Sequence, residues 1–260
     1  MSPRQHLTLE RHHHTAVITL CHPPANTWNR GNLFELRTLL TQLETERDIH
    51  ALVITGLGNK FFSAGADLSQ LATGNKDIAH DIARLFGDAF EALTHFHGVT
   101  IAAINGYAMG GGLECALACD IRIAEHHAVM ALPEASVGLL PCAGGTQNLP
   151  WLVGEGWAKR MILCGEHIDA ATALKIGLVE EIVERGGSKQ AALALASKVA
   201  KQSPASIKAC KALIQRARFT PPIHNLIEER NDFVKLFDTE DPKEGVQAFL
   251  EKRQPIWKNR

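Results

Sequence analysis

The chain has 260 residues, and its 27 Lys and Arg against 28 Asp and Glu give a formal net charge of −1. Balanced charge argues against a nucleic-acid-binding protein, which usually carries a basic surplus, and against a polybasic membrane anchor. No apolar run approaches the roughly 18 residues of a membrane span, and residues 1–14 lack the apolar core of a secretory signal. We therefore expect a cytoplasmic protein with one large domain, or with one domain and an appendage.

Cysteine and histidine patterns give no metal site. Cys115 and Cys119 are four residues apart, but no third and fourth ligand follow at zinc-site spacing, so we predict small buried hydrophobic side chains. His12–His14 are adjacent, and neighbouring residues of a strand point to opposite faces. We predict a solvated hairpin turn there and no metal.

Strands and helices alternate in the first part of the chain. Alternating or short apolar runs predict strands, and apolar residues at a spacing of three to four predict helices. The predicted strands are Leu7–Glu10, Thr15–Leu20, Ala51–Thr55, Thr100–Ile104 and Asp120–Ala124, and the predicted helices are Asn32–Glu46, Asp77–Phe96 and a short Gly-led helix before Asp120.

The last part of the chain changes character. After a last strand, Leu178–Val183, only helical patterns follow: Gln190–Gln202, Ala205–Arg218, Ile223–Asp238 and Lys243–Arg253. The pairs Ser203-Pro204, Pro221-Pro222 and Asp241-Pro242 mark helix starts. These patterns predict an α/β core over residues 1–195, which would carry the active site, and a helical C-terminal region over 196–260.

Three glycine-rich segments, residues 61–68, 104–114 and 131–147, each follow a predicted strand. Small side chains let a ligand approach the backbone, and amides at a helix start suit a developing negative charge. The second segment contains GYAMGGG, which does not fit the GxGxxG dinucleotide fingerprint. It is not a P-loop either, because no Lys-Ser/Thr pair follows its last glycine. Close approach of a ligand is therefore the natural reason for its triple glycine.

Two glutamates stand alone in apolar parts of these segments. Glu114 lies in an otherwise apolar run, and Glu134 is the only charged residue between Ala128 and Gly154. Glu114 could be a salt-bridged structural acid or a catalytic one, and Glu134 could instead be a carboxylate at a helix N-terminus. Two carboxylates could perform general acid and base catalysis, and paired amides could hold an oxyanion. This set suits a thioester whose carbonyl oxygen gains charge as an enolate.

Four blocks of the sequence, in order, resemble the crotonase family, also called the enoyl-CoA hydratase/isomerase superfamily. They are FFSAGADL (61–68), NGYAMGGGLECALACD (105–120), LPEASVGLLPCAGGTQ (132–147) and AFLEKRQPIW (248–257). The resemblance covers essentially the whole chain. It implies an α/β fold, a spiral of β-β-α turns with a C-terminal α-helical region used in trimer formation, and a homotrimer or homohexamer.

The resemblance also implies roles for individual residues. The family's oxyanion hole falls on the backbone N–H groups of Ala66 and Gly111, and its hydratase glutamates fall on Glu114 and Glu134. In the family mechanism both carboxylates hold one water, Glu114 deprotonates it for attack at C3, and Glu134 exchanges the proton at C2. Both glutamates together favour hydration of a trans-2-enoyl-CoA, since isomerases and hydrolases usually lack one. No metal or separate cofactor is implied, because coenzyme A enters as part of the substrate.

Contacts with the acyl-CoA thioester are implied in two places. Around the first two glycine-rich segments they are Ala64, Ala66, Asp67, Leu68, Ser69, Gly110 and Gly111. In the C-terminal block, Phe249 and Lys252 fall where a neighbouring subunit often meets the nucleotide, and Lys suits a phosphate. Simple trimer packing is the alternative for Phe249. We place the acyl pocket between Leu71 and Phe90.

Three positions depart from the family pattern. Trp28 stands in Asn26-Thr27-Trp28 where the family often has Asn-Ala-Leu, in a loop that lies close to coenzyme A in relatives. Cys142 replaces a usual Gly, and Asn148 a usual Arg. We do not expect Cys142 to be a nucleophile, because no His or Lys flanks it to lower its pKa. These changes bear on substrate range and leave the catalytic groups in place.

Alternative functions remain at this point. Within the family they are a Δ3,Δ2-enoyl-CoA isomerase, which would need only Glu134, and a hydratase for a branched or functionalised acyl-CoA. From another class, an RNA-binding relative would use a Lys-rich helix. The basic residues here, spread over Lys198–Arg218, lie on two predicted helices and are interpreted as solvated faces, so we expect no nucleic-acid partner and no membrane.

Overall fold

The computed structural model describes residues 6–258. Residues 1–5, which begin the segment inspected for a secretory signal, and residues 259–260 lie outside the described part. Its strands are β1 (Leu7–His12), β2 (Thr15–Leu20), β3 (Ala51–Gly56), β4 (Phe61–Ser63), β5 (Val99–Ile104), β6 (Tyr107–Met109), β7 (Ile121–Glu125), β8 (Val129–Ala131), β9 (Ile168–Asp169) and β10 (Glu181–Val183). Its α-helices are α1 (Arg30–Thr45), α2 (Lys76–Thr94), α3 (Gly111–Leu117), α4 (Gly145–Leu163), α5 (Ala170–Lys175), α6 (Ser188–Val199), α7 (Pro204–Arg216), α8 (Pro222–Lys235) and α9 (Asp241–Leu250).

The strands form two sheets. One has six strands in the order β1-β2-β3-β5-β7-β10, and the other has four in the order β4-β6-β8-β9. Pairing is parallel except at β1–β2 and β8–β9. Three successive units, β3-β4-α2, β5-β6-α3 and β7-β8-α4, each place their first strand in the larger sheet and their second in the smaller. The predicted spiral of β-β-α turns is therefore confirmed.

The central strands are covered on both faces. All six residues of β2 and of β3 are buried, as expected of parallel strands between helical layers. On one face Leu52 and Ile54 belong to the main core with α1 and α2. On the other, Val53 packs in a second cluster with Ala192 and Ala196 of α6. This double burial makes the larger sheet the centre of the fold, on which the strands of the smaller sheet follow in each unit.

The C-terminal helices begin at the predicted prolines. Pro204, Pro222 and Pro242 each occupy the first or second position of α7, α8 and α9. The predicted boundary between residues 195 and 196 falls within α6, which packs on the larger sheet. The division into 1–195 and 196–260 stays a prediction.

One basic side chain of the C-terminal region is not solvated. Lys211 Nζ donates to the carbonyls of Phe96 and Gly98 and lies 2.8 Å from Asp120 Oδ2. The interpretation of Lys198–Arg218 as solvated faces was therefore wrong for Lys211. Its ammonium instead joins α7 to the end of α2 and the start of β5.

The cysteines, the histidine turn and the last strand can also be compared with the structure. Cys115 and Cys119 are buried as predicted, and His13 lies in the β1–β2 turn with φ of 52°. Within residues 6–258, no group of three or more His, Cys, Asp or Glu is arranged to hold a metal ion. In the same range, no helix is both long and apolar enough to cross a bilayer. The predicted strand Leu178–Val183 is shorter than expected, because only Glu181–Val183 pairs in a sheet.

Candidate active site

A cavity of about 170 Å³ lies where the three glycine-rich segments meet. Ala64–Ala66 enter it from the first segment, Met109–Gly111 and Glu114 from the second, and Pro133, Glu134 and Cys142 from the third. The structure thus brings together the four residues predicted for catalysis, namely Ala66, Gly111, Glu114 and Glu134. The carboxyl ends of β4, β6 and β8, which are neighbours in the smaller sheet, position these segments.

The Ala66 amide is held by a short parallel bridge to Trp28. Trp28 N donates to Gly65 O, and Asp67 N donates to Trp28 O; each donor–acceptor distance is 2.8 Å. These two bonds use the peptide groups on either side of Ala66. Its own N–H has no hydrogen-bond acceptor in the described part of the chain, and it is free to donate to a ligand.

The Gly111 amide opens the short helix α3. Gly110 takes φ of 51° and ψ of −126°, a conformation that glycine adopts readily. The first N–H groups of a helix have no partner within the helix, and that of Gly111 has none elsewhere in residues 6–258. A Cβ atom built on Gly65 would lie 3.3 Å from Gly111 N, so the two segments are in close contact. Two unpaired amides therefore border one cavity.

Glu114 is buried, with 3% of its surface exposed, and is hydrogen-bonded. Its Oε1 accepts from Ala143 N at 2.8 Å, in the turn before α4, and from Gly145 N at 2.9 Å, at the first residue of α4. Burial raises its pKa above the ordinary value of 4.5, and the two amides partly oppose that shift. Position 145 has no room for a side chain, since a Cβ atom there would lie 3.0 Å from Glu114 Oε1 and similarly close to the side chains of Pro141 and Leu132.

Glu134 differs in having no such support. It opens a single 3-10 turn, Glu134–Val137, and neither buried carboxylate oxygen has a hydrogen-bond partner within residues 6–258. Burial, and less strongly the charge of Glu114, raises its pKa from 4.5 to about 7. Its carboxylate faces the oxyanion segment, since a Cβ atom on Gly110 would lie 3.1 Å from Glu134 Oε1. A carboxyl with a pKa near neutrality can both donate and accept a proton.

Cys142 borders the cavity near both glutamates. Burial of the thiol is the main cause that raises its pKa to about 11, and the negative charges of Glu114 and Glu134 contribute less. A thiol that stays protonated is a poor nucleophile. This supports the prediction that Cys142 does not act as one.

The remaining predicted contact residues are divided between the cavity and other places. Ala64 and Leu68 line the cavity with Ala66, Gly110 and Gly111. Asp67 does not; its carboxylate accepts from Ser69 N and Ser69 Oγ and caps the 3-10 turn Leu68–Gln70. Phe249 and Lys252 are exposed and do not line this cavity of their own chain. Their expected contact with a neighbouring subunit stays a prediction.

The apolar wall is only partly anticipated by the sequence. Leu71, Ile82 and Phe86 line the cavity and fall inside the predicted range Leu71–Phe90. Val137, Leu139 and Leu140 line it too and were not predicted. The available signal was that these three large apolar side chains fall within the six residues that follow Glu134. They are exposed, and they leave the mouth of the cavity apolar.

Comparison with known proteins agrees with this geometry. Residues 10–260 match the sequence profile of the family described as enoyl-CoA hydratase/isomerase. The chain belongs to the enoyl-CoA hydratase/isomerase family. The predicted resemblance is thereby confirmed over nearly the whole chain.

Individual relatives are similar over nearly their full length. The chain is 37% identical over 247 residues to the short-chain-enoyl-CoA hydratase of Clostridium acetobutylicum, covering 95% of each. It is 39% identical over 255 residues to the 2,3-dehydroadipyl-CoA hydratase of Escherichia coli, covering 98% of this chain and 99% of the relative. The solved structure of Pseudomonas aeruginosa DspI has a TM-score of 0.96 and 65% identity, and the match covers 99% of this chain and 98% of that one.

Proposed function

We propose that this member of the enoyl-CoA hydratase/isomerase family adds water reversibly across the C2=C3 bond of a trans-2-enoyl-CoA to give a 3-hydroxyacyl-CoA. The observation that carries the proposal is one cavity bordered by two unpaired amides and two glutamates, Glu114 and Glu134. The hydratase names of relatives at 37–39% identity support the same reaction.

The amides of Ala66 and Gly111 act on the thioester carbonyl. Addition at C3 moves the double-bond electrons toward that oxygen, which becomes an enolate oxygen. Two preorganised N–H donors stabilise this charge more than they stabilise the neutral carbonyl, and that difference lowers the barrier. Removal of one such donor costs about 3–4 kcal/mol in comparable sites.

Glu114 acts on the water. Its Oε1 is occupied by Ala143 N and Gly145 N, which leaves Oε2 to accept from a water molecule and to fix its direction. As the water oxygen bonds to C3, Glu114 takes the released proton. The two amides also favour the ionised form that a base needs.

Glu134 acts at C2. Its carboxyl, with a pKa raised to about 7, supplies the proton that converts the enolate into the product. The water proton held by Glu114 then restores Glu134 through solvent or a second water. One O–C3 bond and one C2–H bond form, the C2=C3 double bond becomes single, and no net oxidation occurs. The proposed reaction therefore needs no redox cofactor, and we propose that the two amides and the two glutamates act without a metal.

Substrate binding follows from the same segments. We propose that coenzyme A contacts Ala64, Leu68 and the nearby Asp67 and Ser69, with Phe249 and Lys252 supplied by a neighbouring subunit of a trimer or hexamer. Large apolar side chains exposed on α8 and α9 support such an assembly; they include Ile223, Phe233, Val246, Phe249 and Leu250. We propose an acyl-CoA thioester as the partner, no nucleic acid or membrane, and a cytoplasmic location.

The experiment is a spectrophotometric assay with crotonyl-CoA that follows loss of the conjugated enoyl-thioester absorbance. The wild-type chain is compared with Glu134→Gln and with Glu155→Gln, an exposed glutamate on α4. Rapid loss that only Glu134→Gln abolishes supports hydration. A folded wild-type protein that binds coenzyme A but consumes no enoyl-CoA would contradict it.

A second reaction, Δ3,Δ2-enoyl-CoA isomerisation, is favoured by one observation. Glu134 has an unpaired carboxyl with a pKa near 7, which suits a group that moves a proton between C4 and C2. Conversion of 3-hexenoyl-CoA to the conjugated isomer, measured by the gain of the same absorbance, tests it. If this activity survives Glu114→Gln while hydration is lost, the chain is an isomerase as well.

A further inference from the structure

Trp28 contacts the segment that carries the Ala66 amide through its backbone. Trp28 N donates to Gly65 O, and Asp67 N donates to Trp28 O. The carbonyl of Gly65 and the N–H of Ala66 belong to one trans peptide group and point in opposite directions. Because Gly65 O accepts from Trp28 N, the N–H of Ala66 points away from Trp28, and the bridge fixes this direction.

The indole of the same residue contacts the segment that carries the Gly111 amide. Trp28 is 1% exposed, and its Cδ1 would lie 3.7 Å from a Cβ atom built on Gly111. The ring packs edge-on against Phe90 at 5.5 Å, and Phe90 packs edge-on against Phe86 at 5.5 Å. Phe86 Cε1 would lie 2.8 Å from that same Cβ position. Gly111 therefore packs against two aromatic side chains, those of Trp28 and Phe86.

We infer that Trp28 is a positioning residue of the oxyanion hole, which sets the separation and direction of the Ala66 and Gly111 amides. It joins the two segments, which come from different β-β-α units and have no helix or strand in common. The inference rests on the proposed function in one respect, namely that these two amides receive a thioester carbonyl. It goes beyond that function because Trp28 contacts no reacting atom and does not line the cavity.

Two substitutions change the indole contacts and keep the backbone bridge to Ala66. Trp28→Leu removes the aromatic contact with Phe90 and Gly111, and Trp28→Phe keeps a smaller aromatic ring there. Trp28 Nε1 has no hydrogen-bond partner within residues 6–258, so neither change breaks a hydrogen bond found there. Trp151→Phe, at a residue that is 55% exposed on α4, is the matched control.

The kinetic test separates kcat from KM in crotonyl-CoA hydration. Misplacement of a catalytic group by less than 1 Å acts on the transition state, so we expect kcat to fall about tenfold in Trp28→Leu, and less in Trp28→Phe. KM stays within about twofold, because most coenzyme A contacts are unchanged. Trp151→Phe keeps both constants. A rise in KM at unchanged kcat would overturn the inference, since Trp28 would then only support binding.

A spectroscopic test makes the inference independent of turnover. Butyryl-CoA labelled with carbon-13 at the carbonyl binds without reacting, and its infrared carbonyl stretch reports the donors that it meets. We expect a lower frequency bound to the wild type than in water, and a partial return toward the water value in Trp28→Leu. An equal shift in both proteins overturns the inference while leaving the proposed function intact. No shift in the wild type overturns the oxyanion hole itself, and the inference with it.

Folding of each variant is checked by circular dichroism. If Trp28→Leu does not fold, Phe90→Leu decides the matter, because it removes the ring that supports the indole and leaves Trp28 in place. We expect the same loss in kcat and the same spectral change, both smaller. A Phe90→Leu protein with wild-type kcat and carbonyl frequency would overturn the inference.

Discussion

Glu114 and Glu134 border one cavity, but their carboxylates are supported differently. Glu114 Oε1 accepts two backbone amides, while neither oxygen of Glu134 has a hydrogen-bond partner within residues 6–258. Burial raises the pKa of both, and that of Glu134 reaches about 7. Two like groups with different environments suit different tasks, one as a base that orients water and one as a proton donor.

Glu134→Gln should change stability in a pH-dependent way. The folded pKa of Glu134, about 7, lies above its ordinary 4.5, so between these pH values the folded state binds more protons than the unfolded state. Stability contributed by the protonated form is present below about pH 4.5 and is lost as pH rises through 7. Gln is neutral at every pH and avoids this loss.

We expect Glu134→Gln to gain about 1–2 kcal/mol over the wild type at pH 8, after allowance for solvent screening, and much less at pH 5. Urea unfolding at one fixed protein concentration measures the difference. Glu155→Gln, an exposed partner of Lys159, serves as the control and should show no gain at pH 8. A Glu134→Gln protein that is less stable at pH 8 than the wild type would show that this carboxylate is well solvated or paired.

Gly65→Ala should remove most activity because of contact and not because of backbone strain. Gly65 has φ of 91°, and a Cβ there would lie 2.7 Å from Met109 O, so the two oxyanion segments must separate. Gly58 has nearly the same φ, 86°, with nothing within 4 Å of its Cβ position.

Both Ala variants should lose about 1–2 kcal/mol of stability from the left-handed backbone. Only Gly65→Ala should lose turnover, by about 100-fold, comparable to the loss of an oxyanion donor. Assay of crotonyl-CoA hydration together with thermal unfolding separates the two effects. Equal turnover in the two variants would argue against close packing of the segments as a requirement for catalysis.

Cys142 should be dispensable for catalysis despite its place beside both glutamates. Its pKa of about 11 leaves little thiolate at pH 8. We expect Cys142→Ala to retain kcat within about threefold. Cys142 and Cys164 are both exposed, so the raised pKa of Cys142 should make iodoacetamide modify it more slowly than Cys164, as followed by mass spectrometry of the peptides. A Cys142→Ala protein with less than a hundredth of wild-type kcat would assign this thiol a direct role.

Sequence patterns predict the long elements well because each carries several periods of apolar residues. Helix α2 shows this, since its buried Ile82, Phe86, Ala89 and Phe90 follow helical spacing. Strands β4, β6 and β8 have three residues each, too few for a period, and were not predicted. Helix α4 was also missed; it contains Pro150 and is kinked at Gly154, where φ is 77°.

The candidate site is predictable only in part, for a physical reason. Glu114 and Glu134 stand out because a lone charge in an apolar segment is costly. The contact of Trp28 with both oxyanion segments is not visible, because it joins residues about 40 and 80 positions apart whose spacing has no period. The Lys211 contact with Asp120 is hidden for the same reason. Long-range pairing of single residues needs the structure.

The central claim is that Glu114 and Glu134 act together on one addition of water. The most direct measurement is kcat of crotonyl-CoA hydration for Glu114→Gln, Glu134→Gln and the double variant, with folding checked for each. Gln at position 114 can still accept the Ala143 and Gly145 amides, so the turn should stay in place. We expect each single change to lower kcat by about 100-fold or more, and the double change to add little, because residues that act as a unit are not additive. Near-normal turnover in either single variant, or losses that multiply in the double variant, would contradict the account.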